Sequence, residues 1–306
     1  MTPPATAGTW LALWRTARPH QWVKNAFVAV PLVFAGPELH AAGRLDLDVI
    51  LRTCAAVVAY CFASSAVYFL NDLADADADR QHPVKRLRPI AAGLLSVPAA
   101  RRGVAVALGL AALLALPAGP AFLGWLGVYF AINLAYSRGL KRVAWVDAGV
   151  VAGGFLLRVL AGGEAAGVHL SFWLIACTGL LAMYLALGKR KHELLTSTLN
   201  HRAALAVYRT SHLNHALGVL AAVTVLTYLG YTLDETTVAR FHTRLLPWTV
   251  PFAVFGLWQY AMLLEDEDTA HSPTERMLRD VPFLANLAAW GIAVLTILYG
   301  RLGGAL

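Results

Sequence analysis

The sequence predicts an all-α membrane protein of about nine transmembrane helices, and three observations carry that reading. The chain is 58% hydrophobic and only 14% charged over 306 residues, with mean hydropathy +0.58, far from the balance of a soluble domain. Its apolar residues fall into runs of bilayer-crossing length, near 22–38, 49–70, 99–117, 120–137, 145–163, 170–188, 213–233, 246–264 and 281–300. Its cations are one-sided. The N-terminal segment and the loops after the second, fourth, sixth and eighth runs, with Lys24, Arg101 and Arg102 at the adjoining run ends, hold 19 of the 25 Lys and Arg, whereas the opposite loops and the C-terminus hold Arg44, Arg240, Arg244 and Arg301. By the positive-inside rule the N-terminus and those even-numbered loops are cytoplasmic.

The first run is the weakest, because Lys24 and Pro31 interrupt it. Before it, Trp10, Leu11, Leu13 and Trp14 with Arg15 and Arg18 read as a short interfacial helix at about 9–20. The N-terminus lacks the compact apolar core and small-residue cleavage site of a signal peptide. Cys54, Cys61 and Cys177 lie within apolar runs without metal-ligand spacing and read as small packed hydrophobes. No linker or low-complexity tract divides the chain, so 1–306 reads as one domain, with Glu265-Asp266-Glu267-Asp268 as a solvated connection. The net charge of +7 belongs to one membrane face, where it suits anionic lipid and phosphorylated substrates. Nothing in the sequence suggests nucleic-acid binding.

Chemistry concentrates directly after the second run, at Asn71-Asp72-Leu73-Ala74-Asp75-Ala76-Asp77-Ala78-Asp79. On a continuing helix Asp72, Asp75 and Asp79 fall within about 60° of one face, and Asp77 points away. Three carboxylates on one stripe repel one another unless a cation sits among them, and Mg²⁺ supplies that charge while leaving positions for water and phosphate oxygens. Asn71 adds a neutral oxygen. A solvated helix end is the plain alternative, although Asp suits the C-terminal end of the macrodipole poorly. Lys85, Arg86 and Arg88 follow in a loop shaped by Pro83 and Pro89. Guanidinium groups grip phosphate oxygens in bidentate fashion and Lys adds a point charge, against the topological reading that cytoplasmic loops are basic anyway.

Other cations extend the set. Lys24 either snorkels to headgroups or turns inward to a substrate phosphate. Lys141 lies in the basic loop Tyr136–Arg142. Arg158 stands in the middle of an apolar run, where it needs a polar cavity, a partner carboxylate or a lipid phosphate. Asp147, eleven residues earlier, lies on the same helix face, which is the expected wall of an active-site cavity. At Gly188-Lys189-Arg190-Lys191-His192-Glu193, Lys189 and Glu193 form an i, i+4 pair that either neutralises itself or, with Arg190, contacts substrate. No second aspartate-rich motif appears there. Glu275-Arg276-Met277-Leu278-Arg279-Asp280 leads into the last run on the same face.

Four stretches, RPHQWVKN at 18–25, AVYFLNDLADADADRQHPVKRLRPIAAG at 66–93, LKRVAWVDAGVVAGGFLLRVLAGG at 140–163 and GKRKHEL at 188–194, resemble the UbiA superfamily of intramembrane prenyltransferases. Within it the chain is most similar to the polyprenyl-phosphate (decaprenyl-type) phosphoribosyltransferase branch. After about residue 213 the likeness rests on hydropathy and on ERMLRD at 275–280. The resemblance implies a UbiA-type bundle with a cytoplasm-facing cavity open laterally to lipid, in a bacterial plasma membrane. It implies Mg²⁺-dependent transfer of a 5-phosphoribosyl group from phosphoribosyl diphosphate to a polyprenyl phosphate, feeding arabinose donors for cell-wall arabinan.

On the matching motifs Asn71, Asp72, Asp75 and Asp79 are the implied Mg²⁺–diphosphate site and Lys85, Arg86 and Arg88 the phosphate contacts; Lys189, Arg190 and Glu193 match the later motif. The missing second aspartate motif suits a donor with a diphosphate and a 5-phosphate, which needs one Mg²⁺ site plus dispersed cations. A prenyl group moved from a prenyl diphosphate to an aromatic or other acceptor is the alternative, and an anionic-metabolite transporter a remote one. Homo-oligomerisation is compatible with such a bundle, although the sequence carries no interface motif.

Overall fold

The computed structural model describes residues 5–196, 207–265 and 273–300, and among these every regular element is helical. Asp266, Glu267 and Asp268 of the expected acidic connection, and Arg301 past the last run, lie outside the described residues. The helices are α1 (Ala5–Ala17), α2 (Val30–Ala41), α3 (Leu47–Ala74), α4 (Ala76–Arg80), α5 (Val97–Ala115), α6 (Gly119–Arg138), α7 (Val146–Ala166), α8 (Phe172–Thr196), α9 (Thr210–Leu233), α10 (Glu235–Phe241), α11 (Val250–Glu265), α12 (Pro273–Met277) and α13 (Val281–Tyr299).

Their starts are written locally. Asp46 accepts from the Val49 N–H at 2.9 Å to open α3, and Asp280 from the Phe283 N–H at 2.7 Å to open α13. Both satisfy donors that a first helical turn leaves without intrahelical partners. Pro98, Pro120 and Pro282 occupy the first turns of α5, α6 and α13, where a missing N–H is harmless.

Among the described residues, six helical runs are long and apolar enough to cross a membrane: α3, the 42-residue run formed by α5 and α6, α7, α8, α9 and α13. The long run is broken by a 3₁₀ turn at Leu116–Ala118 and by Gly119 at φ 87°, and α5 packs against α6 across that break. The expected boundary between residues 117 and 120 is therefore where the chain turns. Two expected spans differ. Residues 22–38 form a 3₁₀ helix over Pro19–Val28 followed by the 12-residue α2, which contains Pro37. At 1.5 Å per residue α2 is about 18 Å long, short of the hydrocarbon thickness. Residues 246–264 begin with a 3₁₀ turn at Leu246–Thr249 and continue as the 16-residue α11.

The helices bury small residues and turn large apolar ones outward. Ala56, Ala59, Ala66 and Ala115 are fully buried, while Val106, Leu113, Leu226 and Ile292 are 61–66% exposed. That inversion belongs to helices facing hydrocarbon, where small residues let backbones approach and lipid tails solvate the rest. The chain is a multi-pass integral membrane protein.

Two compact units are present. The first comprises the described residues up to 33, together with 46–139 and 157–169. There α3 runs along α5, and Tyr60 meets Phe122 edge-on and Tyr129 at a tilt in a core with Ala63, Ala111 and Ala161. A Cβ on Gly162 would stand 2.0 Å from the Val28 carbonyl oxygen, so the backbones meet with nothing between them. The second unit comprises 34–45, 140–156 and the described residues from 170 onward. There α8 packs on α9 and α11, with the Tyr184 hydroxyl donating to Leu257 O at 2.9 Å and that of Tyr260 to Leu185 O at 3.0 Å. Cys61 is buried, Cys177 half-buried and Cys54 exposed.

Candidate active site

In the first unit the acidic stretch is not one continuous helix. α3 ends at Ala74, Asp75 leaves the helical region at φ −95°, ψ 3°, and α4 resumes the turn. The Asp75 N–H still bonds Asn71 O at 2.9 Å, so the joint bends the stripe without scattering it. Asp72 and Asp79 remain inward, 2% and 3% exposed, while Asp77 points outward and pairs with Arg80. Asp75 is half-buried.

One guanidinium gathers the two buried carboxylates. Arg88 Nη1 lies 3.2 Å from Asp72 Oδ1 and 2.7 Å from Asp79 Oδ2. Its backbone is extended after a 3₁₀ turn over Lys85–Leu87, which brings the basic loop back onto the acidic helix end. A second cation, Arg18, reaches Asp72 Oδ1 from Nη2 at 2.6 Å and covers the Tyr68 ring at 4.9 Å. Arg18 is left-handed, φ 53°, between α1 and the 3₁₀ helix, so this junction turns its side chain into the cluster. Buried carboxylates are stable only when paired in this way. The sequence places Arg18 in the interfacial helix and gives it no part in the acidic cluster; the residue before Pro19 at the end of an amphipathic helix was the available signal.

Asn71 is hydrogen-bonded through Oδ1 to the Ser137 hydroxyl, which joins the end of α6 to the motif. Ser137 carried no sequence signal beyond its place in the basic loop. Lys85 and Arg86 are exposed, and Lys24 and Lys141 are half-buried.

Arg158, 6% exposed, donates from Nε to Asn25 Oδ1 at 2.8 Å and from Nη2 to Tyr129 OH at 3.1 Å. The rings of Tyr129 and Tyr60 lie 4.8 and 5.8 Å from its guanidinium carbon. Asn25 in turn donates to Ser64 Oγ at 3.2 Å. The cation in the apolar run is thus held by an amide, a phenol and two π faces. Asn25 and Tyr129 were not singled out as its partners from the sequence, because residues 133 and 29 positions away leave no local pattern.

The second unit holds a separate charged centre. Asp147 is fully buried and forms an ion pair with Arg190, Oδ2 to Nε at 2.6 Å. Its Oδ1 accepts from the Tyr208 hydroxyl at 2.6 Å, and the Tyr208 hydroxyl oxygen accepts from the Trp145 N–H at 2.7 Å. Burial and the hydrogen bond to Asp147 push the Tyr208 hydroxyl above the usual phenol range. Arg190 also contacts Glu193, and Lys189 Nζ stands 4.0 Å from the other Glu193 oxygen, which realises the expected i, i+4 pair. Lys191 pairs with Glu265 at 3.6 Å. Arg276 is buried and donates to Leu263 O at 2.9 Å. Asp147 and Arg158, expected to line one wall of α7, each have dedicated partners within their own unit.

The donor set of the first cluster suits Mg²⁺. Among the described residues no three carboxylate, His or Cys groups converge as a protein-only metal centre. Mg²⁺ does not need one, since it is held by one or two carboxylates plus water and substrate phosphates. Asp72 and Asp79, hard oxygen donors on one guanidinium, fit that requirement.

The UbiA prenyltransferase family model matches residues 29–287. The decaprenyl-phosphate phosphoribosyltransferase of Corynebacterium glutamicum is 34% identical over 93% of this chain and 86% of its own length. That of Mycolicibacterium smegmatis is 33% identical over 92% and 91%. Among solved structures, a UbiA homologue from Archaeoglobus fulgidus bound to GPP and Mg²⁺ superposes with TM-score 0.69 at 18% identity, covering 95% of this chain and 98% of that one. A digeranylgeranylglyceryl phosphate synthase superposes at 0.65 with 14% identity, covering 94% and 98%. These last two speak for the fold alone. The matched residues take in the aspartate stretch, the Arg88 loop, Asp147 and the Gly188–Glu193 stretch, and on that extent the chain belongs to the UbiA prenyltransferase family.

Proposed function

We propose that this transferase moves the 5-phosphoribosyl group of phosphoribosyl diphosphate onto a polyprenyl phosphate of decaprenyl type, releasing diphosphate. The observation that carries the reading is the buried Asp72–Arg88–Asp79 bridge, reinforced by Arg18, in a chain aligned almost end to end with phosphoribosyltransferases. Such a cluster supplies both things a diphosphate needs: carboxylates to share a cation with it and guanidinium groups to grip its oxygens.

Asp72 and Asp79, with Asp75 at the helix joint, would hold Mg²⁺. When bound it neutralises charge on the departing diphosphate. Arg88 and Arg18 orient the two carboxylates. Arg86 and Lys85, exposed on the same loop, meet the phosphate oxygens, and Lys24 and Arg158 extend the positive field. Asn71, fixed by Ser137, orients a ligand at the end of α3. At ribose C1 the bond to the diphosphate oxygen breaks as a lipid phosphate oxygen attacks from the opposite face. That nucleophile is already an anion near neutral pH, so no general base is needed. The protein's task is positioning and charge stabilisation.

The same reading has nine membrane crossings, with the first and eighth formed by the 3₁₀-interrupted segments at 19–41 and 246–265. It places the N-terminus and the active-site cavity on the cytoplasmic side of a bacterial plasma membrane, with the polyprenyl tail in a groove open to lipid. The product serves cell-wall arabinan synthesis.

The test incubates purified protein, Mg²⁺ and polyprenyl phosphate with radiolabelled phosphoribosyl diphosphate and counts label extracted into organic solvent. EDTA-sensitive, lipid-linked label is the expected result. No transfer with several polyprenyl lengths sinks the donor assignment. Homologues of this fold are solved with GPP or DMAPP and Mg²⁺, which favours a prenyl diphosphate donor as the second reading. That reading gains if prenyl diphosphate is consumed instead.

A further inference from the structure

Within the first unit, Ser65, Tyr68 and Asp72 follow one another at i, i+3 and i+7 on α3 and so share one face of that helix. Each meets the short stretch where α1 ends and the 3₁₀ helix begins. The hydroxyl of Ser65, a residue 2% exposed, lies 2.9 Å from Ala17 O and accepts from Trp22 Nε1 at 3.0 Å. The Tyr68 ring faces the Arg18 guanidinium, and Asp72 Oδ1 takes Arg18 Nη2 at 2.6 Å.

The Ser65 proton has two carbonyls in reach, Ala17 O and Cys61 O, each at 2.9 Å. Cys61 O also accepts from the Ser64 hydroxyl at 3.0 Å, whereas Ala17 O ends α1 and has no intrahelical donor. Ala17 is therefore the carbonyl that needs the proton. Between Ala17 and Trp22 stands Arg18, left-handed at φ 53° and ψ 59°. That conformation is costly for a residue with a side chain and is kept only where surroundings enforce it. Pro19 follows and brings no N–H to close the turn. One hydroxyl thus holds the backbone on both sides of the strained residue, whose guanidinium lands on Asp72. Arg18 and Arg88 both take Oδ1 of Asp72. Among the described residues nothing is hydrogen-bonded to its Oδ2, the oxygen that Asp72 can present to a cation.

We infer that Ser65 is a positioning residue: by clamping Ala17 and Trp22 it seats Arg18 on one oxygen of Asp72 and commits the other to the Mg²⁺ that accompanies a diphosphate. The role rests on the proposed Mg²⁺–diphosphate site and is independent of the group that the diphosphate carries.

Equilibrium binding of radiolabelled inorganic diphosphate to the full chain in detergent, titrated with Mg²⁺, tests this. Ser65→Ala removes both contacts and is expected to raise the Mg²⁺ concentration for half-maximal binding about tenfold. Trp22→Phe keeps an aromatic ring, loses one contact and should raise it about threefold; it decides alone if Ser65→Ala does not fold. Thr53→Val removes another buried hydroxyl of α3, one that donates to Val49 O, and should leave the value unchanged. In an Arg18→Gln background Ser65→Ala should add nothing, since it acts through Arg18. Wild-type Mg²⁺ dependence in both Ser65→Ala and Trp22→Phe, an equal shift in Thr53→Val, or a second tenfold loss in the Arg18→Gln background would overturn the role. So would a wild-type protein that binds no diphosphate with Mg²⁺. Binding of diphosphate without binding of phosphoribosyl diphosphate would instead overturn the donor assignment and leave the role standing.

Discussion

Nη1 of Arg88 stands 2.7 Å from the Asp79 carboxylate, tying the basic loop after α4 back onto the acidic helix end nine residues earlier. The same nitrogen touches Asp72, so loop and helix form one unit of charge. Acid and base that look consecutive in the sequence are stacked in space.

Burial separates carboxylates that share a sequence motif. Asp72→Asn and Asp79→Asn should each reduce lipid-linked product by about 10²-fold or more, as when a preorganised charged group is removed from a reacting centre. Asp77→Asn, at a side chain 93% exposed, should stay within a factor of about 2. Equal losses at Asp77 and Asp79 in the label-transfer assay would show that the inward pair has no special role.

Asn25 is the amide that meets a buried cation. Asn25→Ala leaves Arg158 Nε short of an acceptor and is expected to destabilise the protein by about 2 kcal/mol. Denaturant unfolding in detergent, compared with Val23→Ala at an exposed neighbour, measures the difference. Identical midpoints would mean that the network contributes nothing.

Two glycines of α7 should respond in opposite directions. A Cβ at Gly162 collides with the Val28 carbonyl, so Gly162→Ala forces backbones apart and should cost about 1–3 kcal/mol or more. Gly153 has open space around an added Cβ, and Gly153→Ala should be neutral or stabilising by about 0.5–1 kcal/mol through helix propensity. Thermal unfolding of the two variants side by side checks the sign.

Tyr208 carries a pH signature. Its folded-state hydroxyl is held above the ordinary value of 10.0, so the folded state keeps its proton where the unfolded chain loses it. That stability is fully present below pH 10 and is lost as pH rises towards the folded value. Unfolding midpoints should therefore fall less steeply above pH 10 in Tyr208→Phe than in the wild type. Parallel curves would show that the hydroxyl is not protected.

What could be read without the structure was what depends on local pattern. Apolar runs placed the break between α5 and α6 because Pro117, Gly119 and Pro120 interrupt helix chemistry within a few residues. The i, i+3, i+7 spacing put Asp72 and Asp79 on one side and Asp77 on the other, and that separation survives even though α3 stops at Ala74. The i, i+4 geometry likewise anticipated Lys189 beside Glu193. The 3₁₀ course of 19–28 was not legible, because hydropathy measures burial in lipid and not the backbone path by which it is reached.

The sequence by itself determined the class of the protein: a helical membrane chain with carboxylates and cations massed at one edge, since hydropathy and charge are carried residue by residue. Tertiary structure alone decided which charges meet. Arg18 found Asp72 across 54 positions, Arg158 found Asn25 across 133 and Tyr208 found Asp147 across 61. Such pairs leave no periodic trace. A buried charge demands a partner, and helix packing chooses which one it receives.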